Sequence, residues 1–517
     1  MRLVHPSLIS KIDKYASENA GMDMTELMRR AGDAVARAVR ELVPVGARIA
    51  VFAGKGNNGG DGYAAATMLL ADYDVTLYDV FSSGQRTAHG KYYLDRFISL
   101  GGTVIPLNID NSFLCELVRY DLIVDAVFGT GFTDEPPEIA VRLSELFSSL
   151  KNTKKVAIDV PLLVNAADGS VIDKRAYRAD VTVVLGFIKT GLVSYPAKEY
   201  VGKLIYDNIG LHNSDIIDNF DFTDYYIDYE LARTFIPNRL DNSNKGTFGK
   251  CLLVSGSHSF VGAAHLSVEA ALRGGAGYVT YVGEDSLCAS LVQKFPEVIY
   301  KTLSISNPSD ADLRAVLDLS DRHTAILVGP GSSKSDGLYK LVRALLITEG
   351  APLILDADAI NVVADNIDEG RELIRNSKRR LILTPHPLEF SRISGIPIDT
   401  VQANRLSVAK SFAKENNCTL VLKGAATVVT DGYLTYINSS GSSALAKAGS
   451  GDVLSGFLAS LVASGVSPIS ACALAVFIHG LAADVLKDEL SELGVTPSDL
   501  PREMARQLSC IQNEKGK

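Results

Sequence analysis

The sequence predicts an α/β protein of two domains, each built on a mostly parallel sheet that helices cover on both faces. Short, nearly continuous apolar runs such as ARIAVFAG and TAILVGPG alternate with helical patterns along the chain. These runs end in Gly, Asp or Pro, as buried parallel strands do where the chain leaves the sheet. Because ligands of such sheets bind beyond the carboxyl ends of the strands, we expect the functional residues in these strand-end turns.

Composition places the chain among ordinary globular proteins. Its 517 residues are 47% apolar and 21% charged, and the net charge of −9 argues against a general affinity for nucleic acid or anionic membranes. The six cysteines form no CxxC pair, and the N-terminus has no apolar h-region. We therefore expect a cytoplasmic homo-oligomer with buried, reduced thiols that acts on small molecules.

The domain boundary is predicted in an acidic, aromatic segment, LHNSDIIDNFDFTDYYIDYE, which separates two regions of strand–helix alternation. We place the domains at residues 1–215 and 225–517. The most apolar late stretch, ISACALAVFIHGLAADVL, is interrupted by His479 and Asp484. That interruption favours a buried helix over a membrane span.

The segment AGSGDVLSG places glycines and one aspartate directly before an apolar helix. Gly449 and Gly451 leave the backbone N–H groups of a tight turn open to a ligand. Helix N-termini carry unpaired donors and partial positive charge, which suits a phosphoryl group. Asp452 either caps the helix or accepts a proton from a substrate hydroxyl.

Other strand-end motifs allow a functional and a structural interpretation. In LVLKGAATVV, Lys423 and Thr427 either hold nucleotide phosphates or belong to a solvated hairpin. His386, set between two prolines in LTPHPLEF, either points into a cleft or is structural. The carboxylates of LDADAIN either support Mg²⁺ or cap the following helix.

The order NKGTFGK, GAA, GPG, LDADAIN, LTPHPLEF, LKGAAT and AGSGDVLSG resembles the ADP/ATP-dependent NAD(P)H-hydrate dehydratase family, a branch of the ribokinase-like kinases. The resemblance covers the chain from about residue 225 onward. It implies a ribokinase-like fold and phosphorylation of the C6 hydroxyl of the hydrated nicotinamide ring, after which phosphate leaves. ADP is the implied phosphoryl donor, giving AMP, with Mg²⁺ as cofactor.

The same resemblance implies roles for individual residues. Asp452 is the catalytic base. The implied hydrate-binding residues are Ala263, Gly331, His386 and Asp452. The implied nucleotide-binding residues are Lys423, Gly424, Ala425, Ala426, Thr427, Gly449, Ser450 and Gly451.

The N-terminal part repeats the strand–turn–helix design in FAGKGNNGGDGYAAATMLL. This segment lacks the ending of a P-loop, and its NNGGDG side chains can bind a cation or the oxygens of ribose and phosphate. DLIVDAVFGTGF then places Asp125 at a strand end before Gly129 and Gly131, and AIDVP ends a third strand at Asp159.

Together these motifs resemble the NAD(P)H-hydrate epimerase family across about residues 1 to 212. The resemblance implies a Rossmann-like domain that converts the R hydrate into the S form, with Asp159 serving the epimerisation at C6. Asn58 and Asp125 are the implied K⁺ ligands. The implied hydrate-binding residues are Asn57, Asn58, Gly59, Gly60, Asp61, Gly129, Thr130, Gly131, Phe132, Thr133, Asp134, Glu135 and Asp159.

One departure from the family pattern concerns the K⁺ site. The family usually continues its Asp-x-Pro with Ser-Gly, whereas this chain has DVPLLVNAADGS. Leu162 stands at the position of a K⁺-contacting Ser and offers no side-chain oxygen, and Leu163 replaces a glycine. Either the cation site is weakened, or the domain has lost part of its epimerase activity.

Three functions therefore remain open on the sequence alone. The main interpretation is a bifunctional repair enzyme that epimerises NAD(P)H hydrate and dehydrates its S form. A second is a ribokinase-like vitamin or sugar kinase with a regulatory first half. In the third, only the dehydratase is active and the N-terminal domain is a non-catalytic nucleotide-binding module.

Overall fold

The computed structural model describes residues 1–81, 85–110, 112–130 and 135–513 of the chain. These residues form two compact units. The N-terminal unit comprises Arg2–Asp224, and the second unit comprises Met1 and the chain from Tyr225 onward. Each unit has its own mostly parallel sheet and its own hydrophobic core.

The N-terminal unit alternates strands and helices, as the sequence predicts. Its strands are β1 (Arg2–Val4), β2 (Arg48–Ala53), β3 (Asp74–Asp79), β4 (Thr103–Pro106), β5 (Leu122–Ala126), β6 (Lys154–Ile158), β7 (Val181–Leu185), β8 (Ile188–Lys189) and β9 (Lys203–Asp207). Its α-helices are α1 (Pro6–Glu18), α2 (Met24–Leu42), α3 (Asn57–Leu69), α4 (Ala88–Ser99), α5 (Phe113–Leu117), α6 (Glu138–Ser149) and α7 (Ser214–Ile217). Short 3₁₀ helices lie at Thr190–Val193 and Ala197–Glu199.

Seven of these strands form a parallel sheet in the order β4-β3-β2-β5-β6-β7-β9. Numbered along the sheet-forming strands, this order begins 3-2-1-4-5-6, which is the Rossmann arrangement. Alternate residues of β2 enter two separate cores, with Ile49 and Val51 on one face and Phe52 on the other. Both faces of the sheet are therefore covered, and a crevice opens where the order reverses, between β2 and β5.

The second unit has the same layered design. Its strands are β11 (Lys250–Val254), β12 (Tyr278–Gly283), β13 (Ile299–Thr302), β14 (Ala325–Val328), β15 (Leu353–Leu355), β16 (Leu381–Leu383), β17 (Thr419–Leu422), β18 (Val428–Thr430) and β19 (Thr435–Ile437), while β10 (Asp224–Tyr226) lies at the division between the units. Its α-helices are α8 (Tyr229–Phe235), α9 (Val261–Arg273), α10 (Asp285–Val292), α11 (Asp310–Ser320), α12 (Asp336–Ile347), α13 (Asp358–Asp365), α14 (Ile367–Arg375), α15 (Pro387–Ser394), α16 (Ile398–Ala403), α17 (Arg405–Glu415), α18 (Ser450–Ala463), α19 (Pro468–Gly494) and α20 (Leu500–Asn513), with a short 3₁₀ helix at Ser443–Leu445.

The C-terminal sheet runs in the order β13-β12-β11-β14-β15-β16-β17-β18-β19. Its strands are parallel up to β17, and β18 and β19 are antiparallel. Alternate residues of β11 again enter two cores, Leu253 on one face and Leu252 on the other. The strand order reverses between β11 and β14, so a ligand crevice is expected in the turns that follow these two strands.

Helices α9 and α18 pack unusually close together. A methyl group on Gly456 would lie 2.2 Å from the carbonyl oxygen of Ser267, so only glycine fits at this crossing. One glycine of the AGSGDVLSG segment is thus explained by helix packing rather than by a ligand.

Helix α19 is long and apolar enough to span a membrane, but 78% of its most apolar window is buried inside the protein. Its buried residues include His479. The prediction of a buried core helix is confirmed.

The thiol prediction is only partly right. All six cysteines are free, and Cys251, Cys288, Cys418 and Cys472 are buried. Cys115 and Cys510 are exposed instead, because they lie on the solvent faces of the amphipathic helices α5 and α20.

The close contact at Gly456 predicts a loss of stability in the variant Gly456→Ala. The added methyl group would press on backbone atoms of α9, and overpacking of this kind costs about 1–3 kcal/mol. Urea unfolding of the variant and of the wild type measures the difference in the free energy of unfolding.

Gly262→Ala provides the matched control on α9. A methyl group there meets no atom within 4 Å, so replacing a helical glycine is expected to stabilise the protein by about 0.5–1 kcal/mol. Equal effects of the two substitutions would contradict the close crossing of α9 and α18.

Candidate active sites

The C-terminal site is built around the start of α18. Gly449 precedes the helix with φ of 101°, in the left-handed region that favours glycine, and no side chain caps the helix. The backbone N–H groups of Gly451 and Asp452 have no hydrogen-bond partner in the part of the chain that the structure describes. These open donors, at the positive end of the helix, form an anion-binding site.

The Asp452 side chain is free beside these donors. It makes no hydrogen bond or ion pair with the described residues, so the helix-cap interpretation is wrong. Burial, together with the negative charges of Asp356 and Asp358, raises the pKa of Asp452 to about 7, although Lys423 opposes this shift. A carboxylate that titrates near neutral pH is well matched to proton transfer.

Lys423 reaches the same point from the end of β17. Its Nζ lies 2.8 Å from Oδ1 of Asp356, a carboxylate that is 1% exposed. A methyl group on Gly451 would lie 3.4 Å from this Nζ, so the ammonium group faces the start of α18. Lys423 does lie in a hairpin turn, between β17 and β18, but it is paired and 18% exposed rather than solvated.

The turn that follows Lys423 is open on one side. Gly424 and Ala425 are exposed, whereas Ala426 and Thr427 are buried. The Thr427 hydroxyl donates to the carbonyl of Gly424 at 2.8 Å and fixes the turn. Ser450, the remaining predicted nucleotide residue, has a buried hydroxyl without a partner among the described residues.

Ala263 and Gly331 meet at the crevice where the strand order reverses. Gly331 follows β14 with φ of 59°, and a methyl group on it would lie 2.5 Å from the Cβ of Ala263 at the start of α9. The structure therefore brings these two predicted hydrate-binding residues into contact.

His386 has the structural role that the sequence left open as an alternative. Its Nδ1 accepts the N–H groups of Leu388 and Glu389 at 3.2 and 3.3 Å, which caps α15. The imidazole is 47% exposed, and burial together with the charge of Lys423 lowers its pKa. The ring is therefore neutral and near Lys423, and its Nε2 lies 3.4 Å from Oε1 of the buried Glu389.

The N-terminal site is a cavity of about 450 Å³ at the crevice between β2 and β5. The predicted residues that line it are Asn57, Asn58, Asp61, Gly129, Thr130 and Asp159. Residues that the sequence analysis did not identify also line it, among them Asp13 from α1 and Lys189 from β8.

A buried ion pair lies in this cavity. Lys189, which is 1% exposed, donates to Oδ1 of Asp159 and to the carbonyl of Leu185. Asp159 has φ of 68°, a strained value for a residue other than glycine, and such strain is typical of functional sites. Lys189 could have been recognised from the sequence, because a charged residue is unusual within the apolar run VVLGFIKTGL.

Two further carboxyl groups surround the pair. Burial and the negative charges of Asp159 and Asp13 raise the pKa of Asp61 well above its ordinary value. Burial also raises the pKa of Asp13 to about 6. The Asp61 carboxyl group therefore retains its proton to higher pH than an ordinary aspartate, beside a carboxylate that is paired with a cation.

Asp125, a predicted K⁺ ligand, lies beneath the cavity rather than in its lining. Its carboxylate accepts the N–H groups of Val127 at 3.1 Å and Leu162 at 2.8 Å, and the Tyr177 hydroxyl at 2.9 Å. Burial raises its pKa to about 6. Leu162 thus presents a donor to the carboxylate, and its side chain is buried in the apolar core.

Asn58 and Leu163, the other two residues considered for the K⁺ site, lie in different surroundings. The Asn58 amide donates to the carbonyl of Phe128 at 2.8 Å, and its Oδ1 is buried without a partner among the described residues. Leu163 has φ of 67°, which explains why a glycine is expected at this position and shows that the leucine is strained there.

Several predicted hydrate-binding residues do not line the cavity. Gly59 and Gly60 instead allow close packing, because methyl groups on them would lie 1.9 Å from the Gly54 oxygen and 2.4 Å from the Met28 Cε. Glu135 is exposed. The predictions for Gly131, Phe132, Thr133 and Asp134 fall outside the described residues.

These geometries define a class: a two-domain α/β enzyme with a separate ligand site at the strand-order reversal of each domain. A sequence profile described as NAD(P)H-hydrate dehydratase matches residues 251–506, and one described as YjeF-related protein N-terminus matches residues 24–191. The chain is 31% identical to the bifunctional NAD(P)H-hydrate repair enzyme Nnr of Thermofilum pendens over 99% of this chain and 97% of that protein. It is also 31% identical to the Escherichia coli enzyme of the same name, over 95% and 91%. The chain belongs to this family of bifunctional NAD(P)H-hydrate repair enzymes.

A solved structure is similar to about half of the chain. It is an ADP/ATP-dependent NAD(P)H-hydrate dehydratase from Bacillus subtilis co-crystallised with ATP/Mg²⁺, 29% identical, with a TM-score of 0.49 over 55% of this chain and 98% of that chain. The strand orders confirm the predicted fold class of two α/β domains with mostly parallel sheets, the first of them Rossmann-like. Family membership also decides against a vitamin or sugar kinase.

The unpaired Asp452 carboxylate predicts a pH-dependent gain of stability in Asp452→Asn. The folded pKa of about 7 lies above the ordinary 3.8, so the wild type loses stability as the pH rises through this window. The asparagine variant has no ionisable group at this position, so it does not lose stability in this pH window. We expect its C-terminal unit to melt at a higher temperature than that of the wild type at pH 8, with a difference that shrinks toward pH 4.

The control is Asp310→Asn, which removes an exposed aspartate from the first turn of α11. Because that carboxylate is solvated, the substitution is expected to leave the melting temperature nearly unchanged at pH 8. A destabilised Asp452→Asn protein at pH 8 would show that the wild-type carboxylate has a stabilising partner.

Proposed function

We propose that the N-terminal domain, residues 1–215, interconverts the R and S forms of NAD(P)H hydrate. The C-terminal domain, residues 225–517, dehydrates the S form with ADP as phosphoryl donor, giving AMP, phosphate and NAD(P)H. One observation carries the proposal for the dehydratase. The free Asp452 carboxylate lies directly beside two open backbone amides, so a base and an anion site share one helix start.

In the first step, the C6 hydroxyl of the hydrate attacks the terminal phosphorus of ADP. Asp452 accepts the hydroxyl proton, and AMP leaves. The amides of Gly451 and Asp452 stabilise the negative charge of the transferring phosphoryl group, which preorganised donors do without reorganising. Lys423 and the turn through Thr427 hold the remaining nucleotide phosphates.

In the second step, the C6–O bond breaks and inorganic phosphate leaves with the former hydroxyl oxygen. A proton departs from C5, and the C5–C6 double bond of NAD(P)H is restored. Phosphorylation is needed because hydroxide is a poor leaving group and phosphate is a good one. Ala263, Gly331 and the neutral ring of His386 form the hydrate side of this site.

The charge of the C-terminal site fits Mg²⁺. The negative charges of Asp356 and Asp358 raise the pKa of Asp452, and the positive charge of Lys423 lowers it. Asp356 and Asp358 are each engaged through one oxygen, by Lys423 and by the N–H of Ser333. These two carboxylates, with the nucleotide phosphates, would hold the ion, which would neutralise phosphate charge.

Epimerisation requires the C6–O bond to open and to re-form on the other face of the ring. Asp61, with its strongly raised pKa, protonates the departing hydroxyl. Asp159, held by Lys189, takes the proton from the returning water. Two carboxyl groups with different environments thus supply the acid and the base.

K⁺ remains a prediction for this domain. The unpaired Oδ1 of Asn58 fits a cation, but the Asp125 carboxylate already accepts three donors and Leu162 supplies an N–H rather than an oxygen. The described residues therefore fit K⁺ only at Asn58, and the proposed mechanism contains no step through the ion. A cytoplasmic location and a homo-oligomeric state also remain predictions.

The role of Asp452 as base predicts the kinetics of Asp452→Asn. Turnover of the S hydrate with ADP is expected to fall by about 10²–10⁴-fold, the usual contribution of a positioned base. The dissociation constant of ADP should change little, because the backbone amides remain. Near-normal turnover would show that Asp452 is not the catalytic base.

The pKa of Asp452 predicts the pH profile of the dehydratase. The value of kcat/KM is expected to rise with pH through about 7, because only the ionised carboxylate accepts the proton. In Asp358→Asn, which removes a charge that raises this pKa, the midpoint should move to lower pH. A midpoint that stays in place would contradict the assignment of the titrating group.

The N-terminal activity is best tested in the Asp452→Asn background, where the dehydratase is expected to consume hydrate only slowly. We expect R/S exchange to continue in this protein and to fall at least about tenfold when Lys189→Met is added, because Asp159 loses its counterion. Lys203→Met, on the exposed side of β9, is the control. If the Asp452→Asn protein with an intact Lys189 shows no R/S exchange, the N-terminal domain is a non-catalytic nucleotide-binding domain.

A further inference from the structure

Arg405 lies directly beneath the Lys423–Thr427 turn. It is the first residue of α17 and is 7% exposed. Its Nη2 donates to the carbonyls of Leu422 and Lys423, both at 3.0 Å, and its Nη1 donates to Oε1 of Gln402 at 3.2 Å. All of these partners are neutral.

The positive charge of Arg405 is therefore uncompensated. No carboxylate of the described residues forms a salt bridge with it, and its Nε is buried without a partner. Burial lowers its pKa to about 10, so the group is still charged at neutral pH. A buried charge without a partner is costly, and a ligand that carries the opposite charge would offset that cost.

Helix stability does not explain this placement. Arg405 occupies the first turn of α17, where the helix macrodipole is positive and a cation is unfavourable. The charge of Arg405 thus interacts unfavourably with the dipole of its own helix. It would interact favourably with an anion on the other side of the turn.

Arg405 also sets the direction of the turn. It holds the carbonyl of Lys423, and in a planar trans peptide the N–H of Gly424 points the opposite way. That N–H has no partner among the described residues. The contact is close, because a methyl group on Gly424 would lie 2.9 Å from the Arg405 Nη2.

We propose that Arg405 is a positioning residue for the nucleotide, which clamps this turn from beneath and supplies positive charge to the ADP phosphates. The inference rests on the proposed placement of the nucleotide at Lys423–Thr427. Arg405 touches no reacting atom, so it acts on nucleotide affinity and on the KM for ADP, while kcat is maintained.

The test measures the dissociation constants of adenosine, AMP, ADP and ATP for the full chain by calorimetry. In Arg405→Gln, which retains a donor but no charge, the Kd of ADP should rise about tenfold, the effect of one unit charge over about 12 Å at an effective dielectric constant of about 20. The loss should be absent for adenosine and grow from AMP to ATP. Arg405→Lys should keep the wild-type dependence on ligand charge.

Arg379 supplies the matched control. It is also buried, at 4% exposure, and it donates to the carbonyls of Leu345 and Ala351 at 2.9 and 3.3 Å. It precedes β16, at the end of the sheet opposite to the site. Arg379→Gln is expected to lower the melting temperature and to leave all four dissociation constants unchanged.

Lys423→Met separates the inference from the proposed function. If ADP affinity survives in Lys423→Met, the nucleotide does not bind at this turn and the proposed function is at fault. If Lys423→Met loses ADP affinity while Arg405→Gln keeps it, the proposed role of Arg405 is wrong. The role is also wrong if Arg405→Gln loses affinity for adenosine as much as for ATP.

Discussion

The backbone at the start of α18 must remain open, and the rest of the C-terminal site is arranged around this requirement. A side-chain cap stabilises a helix, but α18 has none, and the carboxylate in its first turn is also unpaired. Gly449 accepts a left-handed conformation so that the turn exposes its amides. The start of α18 is therefore less stable than a capped helix, but its free donors can bind an anion. Such a trade-off between stability and activity is common in enzymes.

The two domains have the same arrangement of charged residues in their sites. In each, one buried lysine pairs with an aspartate near the strand-order reversal: Lys423 with Asp356, and Lys189 with Asp159. The negative charge of the paired aspartate then raises the pKa of a neighbouring carboxyl group, Asp452 in one domain and Asp61 in the other. Burial is the larger cause in both cases. The result is a carboxyl group with a raised pKa in each site, and the value of about 7 for Asp452 suits proton transfer at neutral pH.

The fold and much of both sites could be predicted from the sequence, because strand-end turns with Gly and Asp have a fixed place in a parallel α/β sheet. The structure places Lys423 and Asp159 directly after strands, and Asp452 and Asp61 near the starts of helices, as these motifs predict. Gly456 could not be distinguished from a ligand-binding glycine, since close approach to a helix and close approach to a ligand require the same residue.

Residues whose role depends on a distant partner escaped prediction. Asp13 lies on an ordinary amphipathic helix, and Arg405 looks like a surface arginine until the fold buries it beneath the Lys423 turn. His386 was placed in the site, but its function as the cap of α15 depends on backbone geometry that periodicity does not reveal. Sequence patterns therefore located the turns, and tertiary contacts decided which side chains act in them.

The central claim is that the hydroxyl oxygen of the hydrate becomes part of the phosphate product. It is tested by preparing S hydrate with ¹⁸O in the C6 hydroxyl group, incubating it with the wild-type protein and ADP, and analysing the products by mass spectrometry. Phosphoryl transfer at the start of α18 predicts one ¹⁸O atom in each inorganic phosphate and none in AMP. Label released into water, with unlabelled phosphate, would contradict the account.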